Sequence, residues 1–382
     1  MTAVIDDGRQ THVVPWPDSE PDILAPVPEH EELRDVVQQL VDRRMSHEQL
    51  RAVVDSPPGY SVPLWAALNR ELDVSAMSVP EEFGGAGFGV RELGVVLEVT
   101  GGALLAEPIL ASAVLGVQAL LRADEPSAVA DLRERTIRGD AVTTVWFGDP
   151  STLAAGPSED GWSVRGVARR VLQGGAADVV VVPAGVDGRT ALFAVDVSGA
   201  PTTARTVMDL TRPQADVPLD GLPATLLVGP DGFSEAWQAL RLLADIGVAC
   251  EHVGMIDRLL AMTTGYVAQR HQFGRPIGSF QAVKHRLADV LVDLERARSA
   301  ARFAAAVYDA DPAAAALPAA VAGAVCTDAV VRVAHEAVQL HGGIGFTWEH
   351  AAHFYVRRAL GDEGLFGDAR RHRGRIAQLI GV

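Results

Sequence analysis

Two arginines flank a tight turn in the last third of the chain. Residues 270–281 read Arg-His-Gln-Phe-Gly-Arg-Pro-Ile-Gly-Ser-Phe-Gln. Gly274 and Pro276 predict the turn, because proline lacks the amide hydrogen that a continuing helix needs. The guanidinium groups of Arg270 and Arg275 suit bidentate contact with a pyrophosphate, and the phenyl rings offer flat apolar surfaces for an adenine. The segment predicts a nucleotide-binding turn, the alternative being a helix–turn–helix corner with a surface arginine.

A second candidate segment is rich in glycine. Residues 339–346 read Gln-Leu-His-Gly-Gly-Ile-Gly-Phe and follow a helical pattern. Glycines at this density let a backbone approach a ligand closely and expose its amides to a phosphate. A Gly-Gly pair alone more often only ends a helix, so this segment gains its meaning from the first. No Cys/His spacing typical of metal sites is present, and we predict no bound metal.

Three regions must position these segments. Apolar residues recur at helical spacing in the first third, and short β-prone runs punctuated by Gly, Pro and Asp follow. Beyond these runs, helical periodicity over residues 236–270, 280–310, 317–341 and 349–359 predicts a bundle. We predict an α+β fold with a flexible leader, an N-terminal helical domain, a central antiparallel β domain and a C-terminal four-helix bundle, over residues 1–28, 29–140, 141–232 and 233–382.

Both segments resemble the FAD-binding signatures of the acyl-CoA dehydrogenase family. The second stands at the distance that the family pattern requires, and residues 79–87 resemble the family's Pro-Glu-x-x-Gly-Gly loop. The order of a helical, a β and a second helical region also matches the family's architecture. Residues 348–358 resemble the actinobacterial branch, which includes heteromeric sterol side-chain enzymes. The resemblance covers about residues 30–382.

The resemblance implies an FAD cofactor that is contacted across a subunit boundary. In the family, these segments reach the adenosine and pyrophosphate of an FAD held mainly by the neighbouring subunit, which requires at least a dimer. The resemblance also implies an acyl-CoA substrate and an electron-transfer flavoprotein or similar acceptor. The cofactor contacts that it assigns are Arg270, Phe273, Phe280, Gln281, Gln339, Gly342 and Gly343.

The chain departs from the family at the residue that should remove a proton. Family members oxidise the Cα–Cβ bond of an acyl-CoA: a carboxylate removes the weakly acidic α proton while a hydride leaves Cβ for the flavin. The usual position of this carboxylate, just before Gly367, holds Phe366. A phenyl ring cannot accept a proton. Asp362 and Glu363 lie nearby, and we predict that both are solvent-facing loop acids.

Some family members carry the base on the bundle helix that precedes the Arg270 turn. By ungapped counting this position is Ala244, and Asp245 is rotated from it by ~100° about the helix axis. Glu251 lies on the same face about two turns along, ~10 Å away. Both acids are therefore candidate bases. The alternatives are an ion pair for Asp245, for example with Arg241, and a buried helix–helix acid for Glu251.

Several functions remain open at this stage. One is a working acyl-CoA dehydrogenase with an atypical base, and another is a non-catalytic subunit that completes a partner's FAD site. A third is a flavin-dependent monooxygenase on the same fold, and a non-flavin interaction protein is the fourth. The family's flavin-side Thr-Glu-Pro and Gly-Ser-Asp elements are degenerate here, where residues 146–151 read Trp-Phe-Gly-Asp-Pro-Ser. Residues 146–151 depart from the family pattern, whereas residues 270–281 and 339–346, which would contact a neighbouring subunit's FAD, retain it. This contrast favours the non-catalytic partner subunit.

Composition narrows the cellular setting. The 382-residue chain has a formal net charge of −16, which argues against nucleic acid as a partner. Cys250 and Cys326 lie in apolar helical sequence and are expected to be small buried residues in a reducing compartment. The N-terminus lacks the basic start and apolar run of a signal peptide, and the alanine-rich stretch around Pro318 is not expected to span a membrane. We predict a cytoplasmic protein.

Overall fold

The computed structural model describes residues 4–5, 12–13, 27–159 and 161–382. The predicted leader over residues 1–28 therefore lies largely outside the described residues. Within it, strands β1 (Val4–Ile5) and β2 (His12–Val13) pair antiparallel. The helices are α1 (Pro28–Arg44), α2 (His47–Val54), α3 (Val62–Leu72), α4 (Val90–Gly102), α5 (Val117–Leu121), α6 (Ala130–Ile137), α7 (Phe233–Gln269), α8 (Gln281–Ala310), α9 (Ala316–His341), α10 (Ala352–Phe366) and α11 (Ala369–Ile380). The strands are β1 (Val4–Ile5), β2 (His12–Val13), β3 (Thr143–Val145), β4 (Ala154–Ser158), β5 (Gly161–Arg165), β6 (Val167–Leu172), β7 (Val179–Val186), β8 (Arg189–Asp196), β9 (Thr203–Ala204), β10 (Gln214–Pro218), β11 (Pro223–Val228), β12 (His271–Gln272) and β13 (Arg275–Pro276).

The chain divides into two compact units. The first, here the bundle unit, comprises the chain up to Asp42, Val90–Leu105 and Asp245–Val382. The second, here the β unit, comprises Arg43–Gly89 and Ala106–Ala244. Helical, β and helical regions follow one another along the chain, as predicted.

The sheet of the β unit is built on one buried apolar strand. Strand β7 consists largely of valine, so both of its faces can be covered, and it lies in a six-stranded sheet of order β3-β7-β4-β5-β11-β8 in which β7 also pairs with β8. The other pairings are antiparallel, as predicted, but β3 and β4 each pair parallel with β7. A three-stranded sheet, β6-β10-β9, accompanies it. Side chains of Trp146, Val180 and Phe193 form part of the buried core.

Helices α4 and α7 approach each other closely in the bundle unit. A Cβ placed on Gly254 of α7 would lie 1.6 Å from the backbone oxygen of Glu98 in α4, so the contact requires a glycine. The Glu98 carboxylate is buried and pairs with Arg34 of α1 and with Arg302 of α8, the latter at 3.2 Å. One buried carboxylate thus links α1, α4 and α8.

The bundle helices confirm most of the predicted segments. Helices α7, α8 and α9 begin and end within about three residues of the predicted bounds, and both cysteines are buried and free, as expected. The prediction for α10 was wrong, because this helix continues to Phe366 and therefore contains Asp362 and Glu363. Residues 312–346 form the one described stretch that is long and apolar enough to cross a membrane, and 67% of its most apolar window is buried in the fold. Core helices of globular proteins can be equally long and apolar.

Candidate cofactor-binding site and the position of the base

The Arg270 turn is a small hairpin between two long helices. Helix α7 ends at Gln269, strands β12 and β13 pair antiparallel, and α8 begins at Gln281. Phe273 has a φ of 54°, in the left-handed region that few residues other than glycine adopt. The amide of Ile277 donates to the carbonyl oxygen of Arg270 at 2.8 Å and closes the turn.

The aromatic and cationic groups of this turn face outward. Phe273 is 90% exposed, and Arg270 and Gln281 are exposed as well. The guanidinium of Arg275 lies 4.0 Å from the ring centre of Phe280, which in turn meets the Phe273 ring edge-to-face at 6.1 Å. Burying a phenyl ring usually stabilises a protein by roughly 1.5–3 kcal/mol, so a ligand or partner that covered this exposed ring would gain a favourable contact.

The glycine-rich segment is also open. Helix α9 ends at His341, and Gly342 follows with a φ of 64°. A Cβ placed on Gly342 or Gly343 would meet no atom within 4 Å, and Gln339 is exposed. Phe346 beyond them is 77% exposed. Exposed backbone, a cationic turn and free aromatic faces are what the adenosine–pyrophosphate half of an FAD needs, so the residues present fit the group.

A stack of rings joins the two segments. The ring of Tyr266, in the last turn of α7, lies 4.5 Å from that of His341. The ring of His341 also contacts that of His350, with 4.3 Å between the two ring centres. Sequence reasoning missed these residues, although Tyr266 stands one helical turn before Arg270 and His341 directly precedes Gly342.

The position of the usual base offers no carboxylate. Phe366 is the last residue of α10 and is half-buried. Asp362, one turn earlier, was predicted to face solvent from a loop. This prediction was wrong, because Asp362 lies on the buried face of α10 and accepts a hydrogen bond from Nε2 of the equally buried His252 at 3.2 Å. Glu363 also lies in the helix and is half-buried, and burial raises its pKa.

The two alternative bases lie on α7. Asp245 is half-buried. Glu251 is only 6% exposed, and its Cα would lie 2.6 Å from a Cβ placed on Gly101 of α4. Glu251 therefore sits where two helix backbones touch. Their roles as bases stay predictions.

The drifted segment of the β unit serves the interior of that unit. Trp146 is buried, and its ring N–H donates to the carbonyl oxygen of Arg169 at 2.8 Å. The Phe147 ring packs on Trp237 at 5.1 Å, and the guanidinium of Arg241 lies 5.9 Å from it. These side chains are thus engaged in packing. In the described part of the chain, no group of three or more His, Cys, Asp or Glu residues could hold a metal ion.

Two buried polar side chains of the β unit, Glu107 and Gln173, each have one oxygen without a partner among the described residues. One carboxylate oxygen of Glu107 accepts the backbone N–H of Ser61 at 3.1 Å, and the other has no partner among the described residues. Burial raises the pKa of Glu107 to about 7. Gln173 donates to the carbonyl oxygen of Ala106 at 2.7 Å, and its own oxygen is likewise buried without a partner in the described chain.

Comparisons with known proteins identify the family of the chain. Models of the acyl-CoA dehydrogenase N-terminal and C-terminal domains match residues 27–123 and 226–381. The chain is 35% identical to acyl-CoA dehydrogenase IpdE2 of Mycolicibacterium smegmatis over 91% of its length and 97% of the relative. It is 32% identical to acyl-CoA dehydrogenase FadE27 of Mycobacterium tuberculosis over 92% and 96% of the two chains.

Solved structures give the same assignment. The chain superposes on a chain of the ChsE4-ChsE5 complex from Mycobacterium tuberculosis with a TM-score of 0.85 at 30% identity, covering 94% of this chain and 99% of that one. A chain of the Tcur3481-Tcur3483 steroid ACAD gives a TM-score of 0.82 at 28% identity, covering 92% and 98%. Taken with the two domain matches, these similarities show that the chain belongs to the acyl-CoA dehydrogenase family of FAD-dependent oxidoreductases.

Proposed function

We propose that this chain is a subunit of a heteromeric acyl-CoA dehydrogenase. In this role it completes the FAD site of a related partner subunit and does not itself remove the α proton of the substrate. The observation that carries the proposal is a contrast within the bundle unit. The residues predicted to contact the cofactor are present and, apart from the half-buried Phe280, exposed, whereas the base position holds Phe366.

The exposed residues supply the first support. Phe273 is 90% exposed, and Gly342 and Gly343 have open space where a side chain would lie. An adenine needs a flat apolar face, and a pyrophosphate needs cations and amides. Phe273, Gly342 and Gly343 are exposed on the bundle unit, which supports contact with a cofactor that another subunit holds.

The second support concerns the proton. The α proton of a thioester is a weak acid, and its removal needs a positioned base together with hydrogen-bond donors to the thioester oxygen. Phe366 cannot accept a proton. Glu251 is buried where two helices meet, which supports its alternative interpretation as a structural acid between helices and not as a base. When bound, FAD accepts the hydride from Cβ, and in this proposal the carboxylate that removes the proton belongs to the partner.

The relatives supply the third support. One similar structure is the ChsE4-ChsE5 complex, and another carries the paired name Tcur3481-Tcur3483 and is described as a steroid ACAD. We infer by similarity that this chain also pairs with a related but different subunit in the cytoplasm. The complex would oxidise an acyl-CoA thioester and pass electrons to an electron-transfer flavoprotein or a similar acceptor.

Substitution of Arg270 tests whether this chain contributes to the FAD site of the partner subunit. The complex of this chain with a related acyl-CoA dehydrogenase subunit from the same organism is purified with Arg270→Ala or with Arg375→Ala, a control at an exposed arginine of α11. Arg270→Ala should lower the flavin bound per complex, because a charge-assisted contact to the pyrophosphate is lost. Arg375→Ala should leave the flavin content unchanged. Equal flavin content in both variants would contradict the proposal.

Substitution of the two acids tests the absence of a base. Asp245→Asn and Glu251→Gln in this chain should leave acyl-CoA-dependent flavin reduction by the complex within about twofold of wild type, because the base lies elsewhere. If one of them abolishes reduction while FAD stays bound, that acid is the base and this chain is itself catalytic.

A further inference from the structure

The stack of three rings connects the Arg270 turn with the glycine-rich segment of residues 339–346. Tyr266 lies in the last turn of α7, His341 is the last residue of α9, and His350 precedes α10. The centroid distances are 4.5 Å between the first two rings and 4.3 Å between the last two, with interplanar angles of 29° and 45°. Offset and tilted contacts at these distances are favourable for aromatic rings.

Each ring is tied to a cofactor-binding segment through the backbone. The carbonyl oxygen of Tyr266 accepts the amide N–H of Arg270 at 2.9 Å. His341 is joined directly to Gly342. His350 donates its amide N–H to the carbonyl oxygen of Thr347 at 3.2 Å, at the far end of the glycine-rich segment. A displacement of one ring would therefore shift the backbone of the segments that are predicted to contact the cofactor.

The central ring has a fixed orientation. The Nδ1–H of His341 donates to the carbonyl oxygen of Ala337 at 2.7 Å, one turn back in α9. The ring is 3% exposed, and its Nε2 has no partner among the described residues. Burial lowers the pKa of His341, which favours the neutral ring. A side chain held in this way has little rotational freedom to lose when a ligand binds.

We propose that His341, held between Tyr266 and His350, is a positioning residue that sets the distance between the Arg270 turn and the Gly342–Gly343 backbone. This positioning role rests on the proposed function, because it requires that the Arg270 turn and the Gly342–Gly343 backbone bind the same FAD. His341 acts through the ring contacts and not through its unpartnered Nε2. A flat ring should therefore suffice at this position, and the imidazole nitrogens should not be required.

Variants of the stack test the proposal in the complex with the partner subunit. The Kd of FAD is measured by reconstituting the apo-complex while following flavin fluorescence. His341→Ala should raise the Kd about 3- to 10-fold, the range expected for the loss of aromatic contacts. His341→Phe should restore it to within about twofold of wild type. Tyr266→Ala and Tyr266→Phe form a second pair with the same expected results. Because the Tyr266 ring is only half-buried, its substitution disturbs folding less.

His335 provides the matched control. It lies in the same helix as His341 and its Nδ1–H makes the same kind of bond, to the carbonyl oxygen of Val331 at 2.9 Å, but its ring is exposed. His335→Ala should leave the Kd unchanged. A weakened Arg270→Ala complex beside an unaffected His341→Ala complex would overturn the positioning role alone, as would equal losses in His341→Phe and His341→Ala. An unaffected Arg270→Ala complex would overturn the proposed function instead.

Discussion

Replacing Glu107 with glutamine should stabilise the protein above neutral pH and change its stability much less under acidic conditions. Glu107 is 6% exposed, and its two carboxylate oxygens differ: one accepts the Ser61 amide N–H and the other has no partner among the described residues. Burial therefore disfavours the charged carboxylate, and the pKa rises from 4.5 to about 7.

The sign of the effect follows from the two pKa values. In the unfolded chain this carboxyl loses its proton near pH 4.5, whereas in the folded chain it keeps the proton to about pH 7. Its contribution to stability is therefore complete below about pH 4.5 and is lost as the pH rises through about 7. The difference between the two pKa values corresponds to about 3 kcal/mol, and most of this free energy falls between about pH 5 and pH 8.

Urea unfolding of wild type and Glu107→Gln at about pH 5 and pH 8 measures this difference. The free energy of unfolding of the variant, relative to wild type, should be higher at pH 8 than at pH 5 by about 2 to 3 kcal/mol. Glu82→Gln, at an exposed glutamate of the same unit, should show no such change. An equal loss of stability in Glu107→Gln at both pH values would refute the reasoning, because the carboxylate would then be charged and favourably bound.

Two further predictions concern the bundle unit. Gly254→Ala should destabilise the protein by about 3 kcal/mol or more, because the new methyl group would overlap the Glu98 backbone; Gly265→Ala, in open space on the same helix, should stabilise it by about 0.5–1 kcal/mol, and similar effects on urea midpoints would contradict the close approach. Glu98→Gln leaves Arg34 and Arg302 without their buried carboxylate and should cost about 2 kcal/mol, below the usual loss for a buried pair because both guanidiniums are partly exposed. A thermal midpoint equal to that of wild type would show that the triad contributes no net stability.

Local patterns predicted much of the bundle unit. Helical periodicity gave α7 to α9, and the Gly274–Pro276 pair gave the turn between α7 and α8. Helix α10 was predicted too short, because Gly361 and Gly364 are poor helix formers and tertiary packing overrides their preference. The spacing of Tyr355, Arg358 and Asp362 on one face of that helix was the available signal of its continuation.

Long-range contacts were not predictable in this way. The parallel pairing of β3 with β7 joins strands far apart in sequence, and no local pattern specifies it. The stack of Tyr266 on His341 likewise depends on how α7 packs near the end of α9. The exposure of Phe273 is a property of the folded surface, since a phenylalanine in a sequence is expected to be buried.

The flavin content of this chain with and without its partner tests the central claim most directly. Purified alone, the chain should hold little FAD, and no acyl-CoA should reduce a dye acceptor through it. When the chain is co-expressed with a related acyl-CoA dehydrogenase subunit from the same organism, the resulting complex should be yellow and should reduce its flavin with an acyl-CoA. Full flavin occupancy and acyl-CoA-dependent reduction by this chain alone would contradict the account.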